Sequence, residues 1–177
     1  MPDTTIPYQI VLFTQEHSIN GGIFLRDKRF SDFMNDHRDT NVMLRNASVA
    51  RLENPAKILE KTLVSFIPKA GIVLAFEPPQ KVAASRPRFI KSSKEKYEIF
   101  LILDGMEVCG NIHVQGSLDL LHFLTNTAQA FLPVTQATAS IQANPNFLLK
   151  QETILVNIQR IRFIGEVQPK SPTEPRP

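Results

Sequence analysis

Residues 97–114 read YEIFLILDGMEVCGNIHV, and they decide what kind of fold the chain can take. Residues 97–103 are a run of β-prone side chains. Asp104-Gly105 follows, the pair that best accepts the positive φ angles of a type I′ hairpin turn. Met106, Val108, Gly110, Ile112 and Val114 then alternate with Glu107, Cys109, Asn111 and His113, as a strand with one buried face should. A β-hairpin is the consequence.

The same pattern occurs earlier in the chain. An offset of 89 residues pairs Tyr8 with Tyr97, Ile10 with Ile99, Leu12 with Leu101, Gly21 with Gly110 and Ile23 with Ile112. With one residue added, an offset of 90 pairs Phe33 with Phe123, Ala47 with Ala137, Asn54 with Asn144, Pro55 with Pro145 and Leu59 with Leu149. The offset returns to 89 where Ile72 meets Ile161 and Glu77 meets Glu166. Residues 8–77 and 97–166 read as two copies of one small domain, since the paired positions are the apolar and turn-forming residues that specify a backbone.

After each hairpin the spacing changes to i, i+3, i+4: Phe30, Phe33 and Met34 in one copy, Leu120, Phe123 and Leu124 in the other. That predicts a short amphipathic helix, with Asp27 and Ser117 as N-caps. Strand character resumes over residues 42–49 and 134–139, turns at Asn-Pro, and closes with strands near 62–67 and 72–76, then 154–158 and 161–164. Five short strands and one helix in so few residues predict a mainly β protein: two tandem five-stranded barrels or strongly bent sheets, each with one helix. Barrel closure would also remove exposed strand edges. Residues 78–96 read as a Pro-rich, then basic, linker, and 167–177 as a disordered Pro-rich tail.

Composition excludes several classes. The chain of 177 residues is 42% hydrophobic and 21% charged, which is ordinary for a globular protein and excludes a wholly disordered, collagenous or disulfide-stapled one. A single cysteine, Cys109, forms no internal disulfide and fits a reducing compartment. No stretch has the apolar length of a membrane span, and the opening residues lack the pattern of a secretory signal, so the expectation is a cytoplasmic protein without a membrane partner. The net charge of +3 is small, but residues 86–96 hold five basic groups and one acid.

Candidate chemistry is sparse. Cys109 and His113 share a strand face, with His122 following, but a zinc site needs about four ligands, so a surface or interface position is the simpler reading. Asp32, Asp36, Asp39 and His37 cluster near the first helix and read first as a solvated helix end. Gly21-Gly22 fits no phosphate loop, and close strand packing or a bulge explains it better. No nucleophile motif is present, so no catalytic residue, cofactor or metal is expected and the protein reads as a non-enzyme. Arg86, Arg88, Lys91, Lys94 and Lys96, with Phe89 and Tyr97 among them, could track a phosphate backbone while a ring stacks on a base. A solvated linker is the plainer alternative.

The segment LDGMEVCGNI at 103–112 resembles the first motif of Sm-like proteins: a strand, a polar-Gly turn, and a second strand with Gly at its bend. Asp32-Phe33-Met34-Asn35 resembles the Asp and Met-Asn of that motif, whose Asn helps to bind an RNA base in that family. The resemblance implies RNA contact through Asp32 and Asn35. At the corresponding second-copy positions stand His122 and Thr125, and Arg160-Ile161-Arg162-Phe163 stands near the place of the family's Ile-Arg-Gly. The pattern Arg-Phe-Ser-Asp-Phe-Met-Asn at 29–35 also resembles a group of bacterial proteins with no assigned activity.

Two functions follow as expectations. The first is a non-catalytic protein that binds another protein or self-associates, because Phe13, Phe24, Phe100 and Phe147 exceed what two small cores can hide and exposed apolar surface marks an interface. The second is binding of RNA or single-stranded nucleic acid through the basic segment and the first helix.

Overall fold

A computed structural model describes residues 7–25, 28–79 and 94–168. The first half contains β1 (Tyr8–Phe13), β2 (His17–Ile23), α1 (Phe30–Met34), β3 (Asn41–Arg51), β4 (Asn54–Pro68) and β5 (Leu74–Phe76). The second contains β6 (Glu95–Leu103), β7 (Met106–Val114), α2 (Leu120–Asn126), β8 (Phe131–Ile141), β9 (Asn144–Asn157) and β10 (Ile161–Glu166). A single 3-10 turn precedes β5 and another precedes β10.

The ten strands of the described residues belong to one antiparallel sheet of order β10-β6-β7-β8-β9-β5-β1-β2-β3-β4. Two closed five-stranded barrels are therefore not formed. Closing the first half would require β4 to pair with β5, but β5 already has β1 on one edge and β9 on the other. The sheet stays open, and β4 and β10 are its end strands.

Each half runs through its strands in the same order, β5-β1-β2-β3-β4 and β10-β6-β7-β8-β9. The ladders agree residue by residue. Val11 faces Phe76 and Leu12 faces Ala75, while 89 residues later Phe100 faces Gly165 and Leu101 faces Ile164. Backbone bonds outside the ladders also recur: Leu52 donates to Glu16 and Gln142 to Gly105, Lys69 to Thr40 and Ile158 to Ala130. One pairing made from sequence shifts. Val49 faces Glu60 where Ala139 faces Leu149, so Glu60, not Leu59, holds the place of Leu149. The extra residue is Leu59, taken up by the irregularity between Val49 and Ala50.

A bulge sits at the same place in both halves. Asn46 and Gln136 have positive φ, 48° and 49°, where β3 crosses β2 and β8 crosses β7. The strand crossed there has no room for a side chain. A Cβ on Gly110 would come within 2.6 Å of Val134 Cγ1 and 2.9 Å of the Thr135 oxygen, and one on Gly21 within 3.1 Å of Ala47 Cβ. Close strand packing accounts for these glycines.

Two local expectations change. Only Gly105 takes positive φ in the β6–β7 turn, so the turn is not type I′; Asp104 is tied instead to Arg162 (2.7 Å) and Arg160 (3.4 Å). The cap of α2 is Asp119, whose carboxylate accepts from the His122 amide at 3.0 Å, rather than Ser117. Residue Arg29 precedes α1 with no side-chain cap bond, and Asp27 lies outside the described residues. Strand β6 starts at Glu95, inside the stretch read as linker; residues 80–93 and 169–177 lie outside the described residues.

Alternate residues of β1 and β5 enter different cores, because successive strand side chains point to opposite faces. Ile10, Leu12 and Ala75 pack with Ile23, Phe30, Met34 and Leu44. Val11, Phe13, Leu74 and Phe76 pack with Ile99, Leu101, Val108 and Val134 of the second half. Both faces of the sheet are thus buried where the halves meet.

Candidate interaction surface

The meeting of the halves is a three-residue ladder: Leu74 faces Val156, Ala75 faces Leu155 and Phe76 faces Ile154. Its side chains cross over. Leu155 and Phe131 enter the core of the first half, while Phe13, Leu74 and Phe76 enter that of the second. Phe13 and Phe76 meet edge to face, with centroids 5.6 Å apart, a favoured aromatic geometry. Expectation had Phe13 and Phe147 as surplus apolar groups; both instead pack in this core, with centroids 6.4 Å apart.

Polar groups seal the same junction. Asn157 is buried, its amide nitrogen donating to Val73 O, and its side chain donating to Ile72 O (2.8 Å) and Lys69 O (3.2 Å). The Asn35 side chain accepts from Phe131 N at 2.8 Å and donates to Phe131 O at 3.0 Å. His37 Nε2 donates to Ala128 O at 2.8 Å, and Arg160 Nε to Ala70 O at 2.9 Å.

At the ends of the sheet the matching positions face water. The counterpart of Leu155, 3% exposed, is Phe66 on β4, 69% exposed. The counterpart of Leu74, 0% exposed, is Phe163 on β10, 51% exposed, and that of Phe13, 2% exposed, is Ile102 on β6, 38% exposed. Phe100 and Phe163 lie 6.4 Å apart on that open face. Strand β4 adds exposed Ile58, Leu59, Leu63 and Val64. Its final seven residues, 62–68, carry no charge, which is unusual for an edge strand, since natural edges are commonly blunted with charges. A shallow depression of about 530 Å³ lies beside Leu63 and Val64, lined also by Pro7, Phe24, Arg45 and Asn46.

Of the residues expected to bind nucleic acid, four are described, and these four do not form one cluster. Arg86, Arg88 and Lys91 lie outside the described residues. Lys94 and Lys96 are exposed at the start of β6, with Lys96 Nζ donating to Gln136 Oε1 at 2.5 Å. Asp32 is exposed on α1. Asn35 has both ends of its amide on the Phe131 backbone, and Phe131 to Gln136 is five residues of strand, on the order of 15 Å. The structure therefore sets Asn35 at the junction and the two lysines at a separate place.

The other polar clusters are structural ties. Asp36 accepts from Arg38 Nε (2.9 Å), Arg38 Nη2 (2.7 Å) and Lys28 Nζ (2.7 Å), and these partners hold its carboxyl far below the usual range. His113 Nε2 lies 2.9 Å from Thr135 Oγ1, and no group of three metal-ligating side chains occurs among the described residues. Lys69 was not singled out from sequence, yet it is buried, donating 2.9 Å bonds to Phe33 O and Asp36 O, 5.4 Å above the Phe33 ring. Burial lowers its pKa. The signal was present in Phe66-Ile67-Pro68-Lys69-Ala70-Gly71-Ile72, a lone charge inside an apolar run.

No helix among the described residues is long and apolar enough to cross a membrane. In comparisons with protein-family models, with curated proteins and with solved structures, none matches this chain.

Proposed function

We propose that this chain is a non-catalytic protein, built from two copies of one β unit, that works by associating with protein through the apolar surface at the ends of its sheet. One observation carries the reading: positions that are buried where the halves meet recur at the ends as exposed Phe66, Ile102 and Phe163. Exposed apolar side chains on an uncharged strand edge favour pairing with another chain. Self-association is the form of this activity that needs no second component.

The test is size exclusion with light scattering at low and high salt, recording absorbance at 260 and 280 nm. The expected result is a mass well above 20.0 kDa that persists in high salt, because apolar association is not screened by ions. A monomer under both conditions counts against self-association. The chain has no Trp and two Tyr, so bound nucleic acid would dominate the spectrum. A 260 nm excess that co-elutes and is lost in high salt would transfer the function to nucleic acid, with Arg86, Arg88 and Lys91 as the first residues to change to Ala.

A further inference from the structure

The junction inside the chain supplies a template for a junction between chains. Its two sides are the β5 edge of the first half and the β9 edge of the second. Because the halves share strand order and register, the second half carries a β5-like edge, β10, and the first half carries a β9-like edge, β4. These are the two end strands of the open sheet. We infer that β10 of one molecule adds to β4 of the next, with Phe163 opposite Ile67, Ile164 opposite Phe66 and Gly165 opposite Ser65.

The register follows from the ladder Leu74–Val156, Ala75–Leu155 and Phe76–Ile154, moved by 89 residues on each side. In that arrangement Phe66 enters the core beside Ile99, Leu101 and Ile164, as Leu155 enters the core beside Ile10, Leu12 and Ala75. Phe100, Ile102 and Phe163 enter the partner's first half, as Val11, Phe13 and Leu74 enter the second half within the chain. Leu120 and Leu124 of α2, half-buried, would be covered as Phe30 and Met34 of α1 are. Side-chain bulk is also redistributed: Phe66 against Ile164 replaces Leu155 against Ala75, and Ser65 against Gly165 replaces Ile154 against Phe76.

Two substitutions make the junction between chains the weaker of the two. Pro68 stands in the place of Asn157 and has no amide hydrogen to offer, and Asn41 stands in the place of the buried Phe131. The contact joins unlike edges, so each addition leaves a new free edge, and assembly continues until it closes into a ring or runs on as a filament.

This rests on the association reading above, and the experiment separates the two. Ser65→Cys and Gly165→Cys are made singly and together in a Cys109→Ser background. Ile154 and Phe76 share one core, so Ser65 and Gly165 share one face in the proposed pair, within the reach of a disulfide. A Cβ on Gly165 meets only the exposed ring of Phe163, at 3.1 Å. After mild oxidation, the double variant is expected to give a ladder of multiples of 20.0 kDa on a non-reducing gel, and each single variant none. A cross-linked dimer from Ser65→Cys alone means that β4 pairs with β4 and overturns the proposal while leaving association intact. Multimers in light scattering with no cross-link, or a cross-link within one chain, also overturn it. A monomer throughout removes self-association, the form of the association reading on which this junction rests, and overturns the proposal with it. Independently, Phe66→Lys is expected to return the particle to 20.0 kDa without lowering the unfolding midpoint of the chain, and an unchanged particle mass would count against the edge.

Discussion

Helices α1 and α2 begin at matched positions, 30 and 120, and both show apolar side chains at i, i+3 and i+4. Yet α1 buries Phe30 and Met34, whereas α2 buries none of its residues. The difference lies in their neighbours: Phe131 and Leu155, arriving from the other half, complete the core around α1. Among the described residues no strand from another half arrives beside α2 in this way. The same contrast runs through the strands, where Leu155 and Phe66 hold matched places at opposite exposures. Burial in this molecule is decided by what crosses the edge of a half more than by the half's own pattern.

That contrast can be broken most sharply at the matched pair itself. Leu155→Ala should cost about 2–5 kcal/mol in urea unfolding, the usual range for emptying a packed leucine site, because Leu155 is fully enclosed between the halves. Phe66→Ala in dilute protein should stay within about 0.5 kcal/mol, as expected for an exposed position. Equal costs would show that the internal junction and the open end do not differ as described.

The next largest effect compares the two bulge glycines. Gly110→Ala should lose about 1–3 kcal/mol through forced displacement of Val134 and the Thr135 carbonyl. Gly21→Ala, whose nearest contact would be 3.1 Å, should lose less. Thermal melts of both variants check the order.

Asn35→Ala should cost about 1–2 kcal/mol, since it leaves the amide of buried Phe131 without its acceptor. Thr125→Ala, at the matched place on α2, removes only bonds back to Leu121 and His122 of the same helix and should fall within about 0.5 kcal/mol. Parallel chemical denaturation of the two variants reads the junction against the open end.

The smallest effect is a dependence on acid. The Arg162 hydrogen bond, followed in weight by partial burial that opposes it and by Arg160, holds Asp104 below its ordinary 3.8. The unfolded chain therefore binds the proton first as pH falls, so this contribution to stability is full above about 3.8 and is lost as pH drops through the folded value. Asp104→Asn should flatten the acid limb of a stability profile. Its matched position, Gln15, carries no charge, so Gln15→Asn should leave that limb as it is.

Much of the chain's organisation is legible in the sequence. The alternation in 106–114 and the i, i+3, i+4 spacing at Phe30 and Leu120 rest on local periodicity, and the elements appear where that periodicity places them. Less local features were not legible. The Asp104-Gly105 pair suggests a type I′ turn, whereas only Gly105 takes positive φ and Asp104 is paired with Arg160 and Arg162. The Asp32 and Asn35 motif suggested a binding site, while the Asn35 amide is committed to a backbone 96 residues away. Lys69 was not singled out because its acceptors, the carbonyls of Phe33 and Asp36, are distant in sequence.

By itself the sequence determined ten strands, two short helices, their order, and which side chains alternate from face to face, because these depend on residues within a few positions of one another. Only the tertiary structure decided how the edges are used. An edge strand satisfies its backbone groups with whichever strand comes alongside, and alternation looks the same for a strand that closes a barrel and one that joins a neighbour. Here β5 took β9 in place of β4, and that single choice left the sheet open, buried both faces of its middle, and exposed Phe66 and Phe163 at its ends.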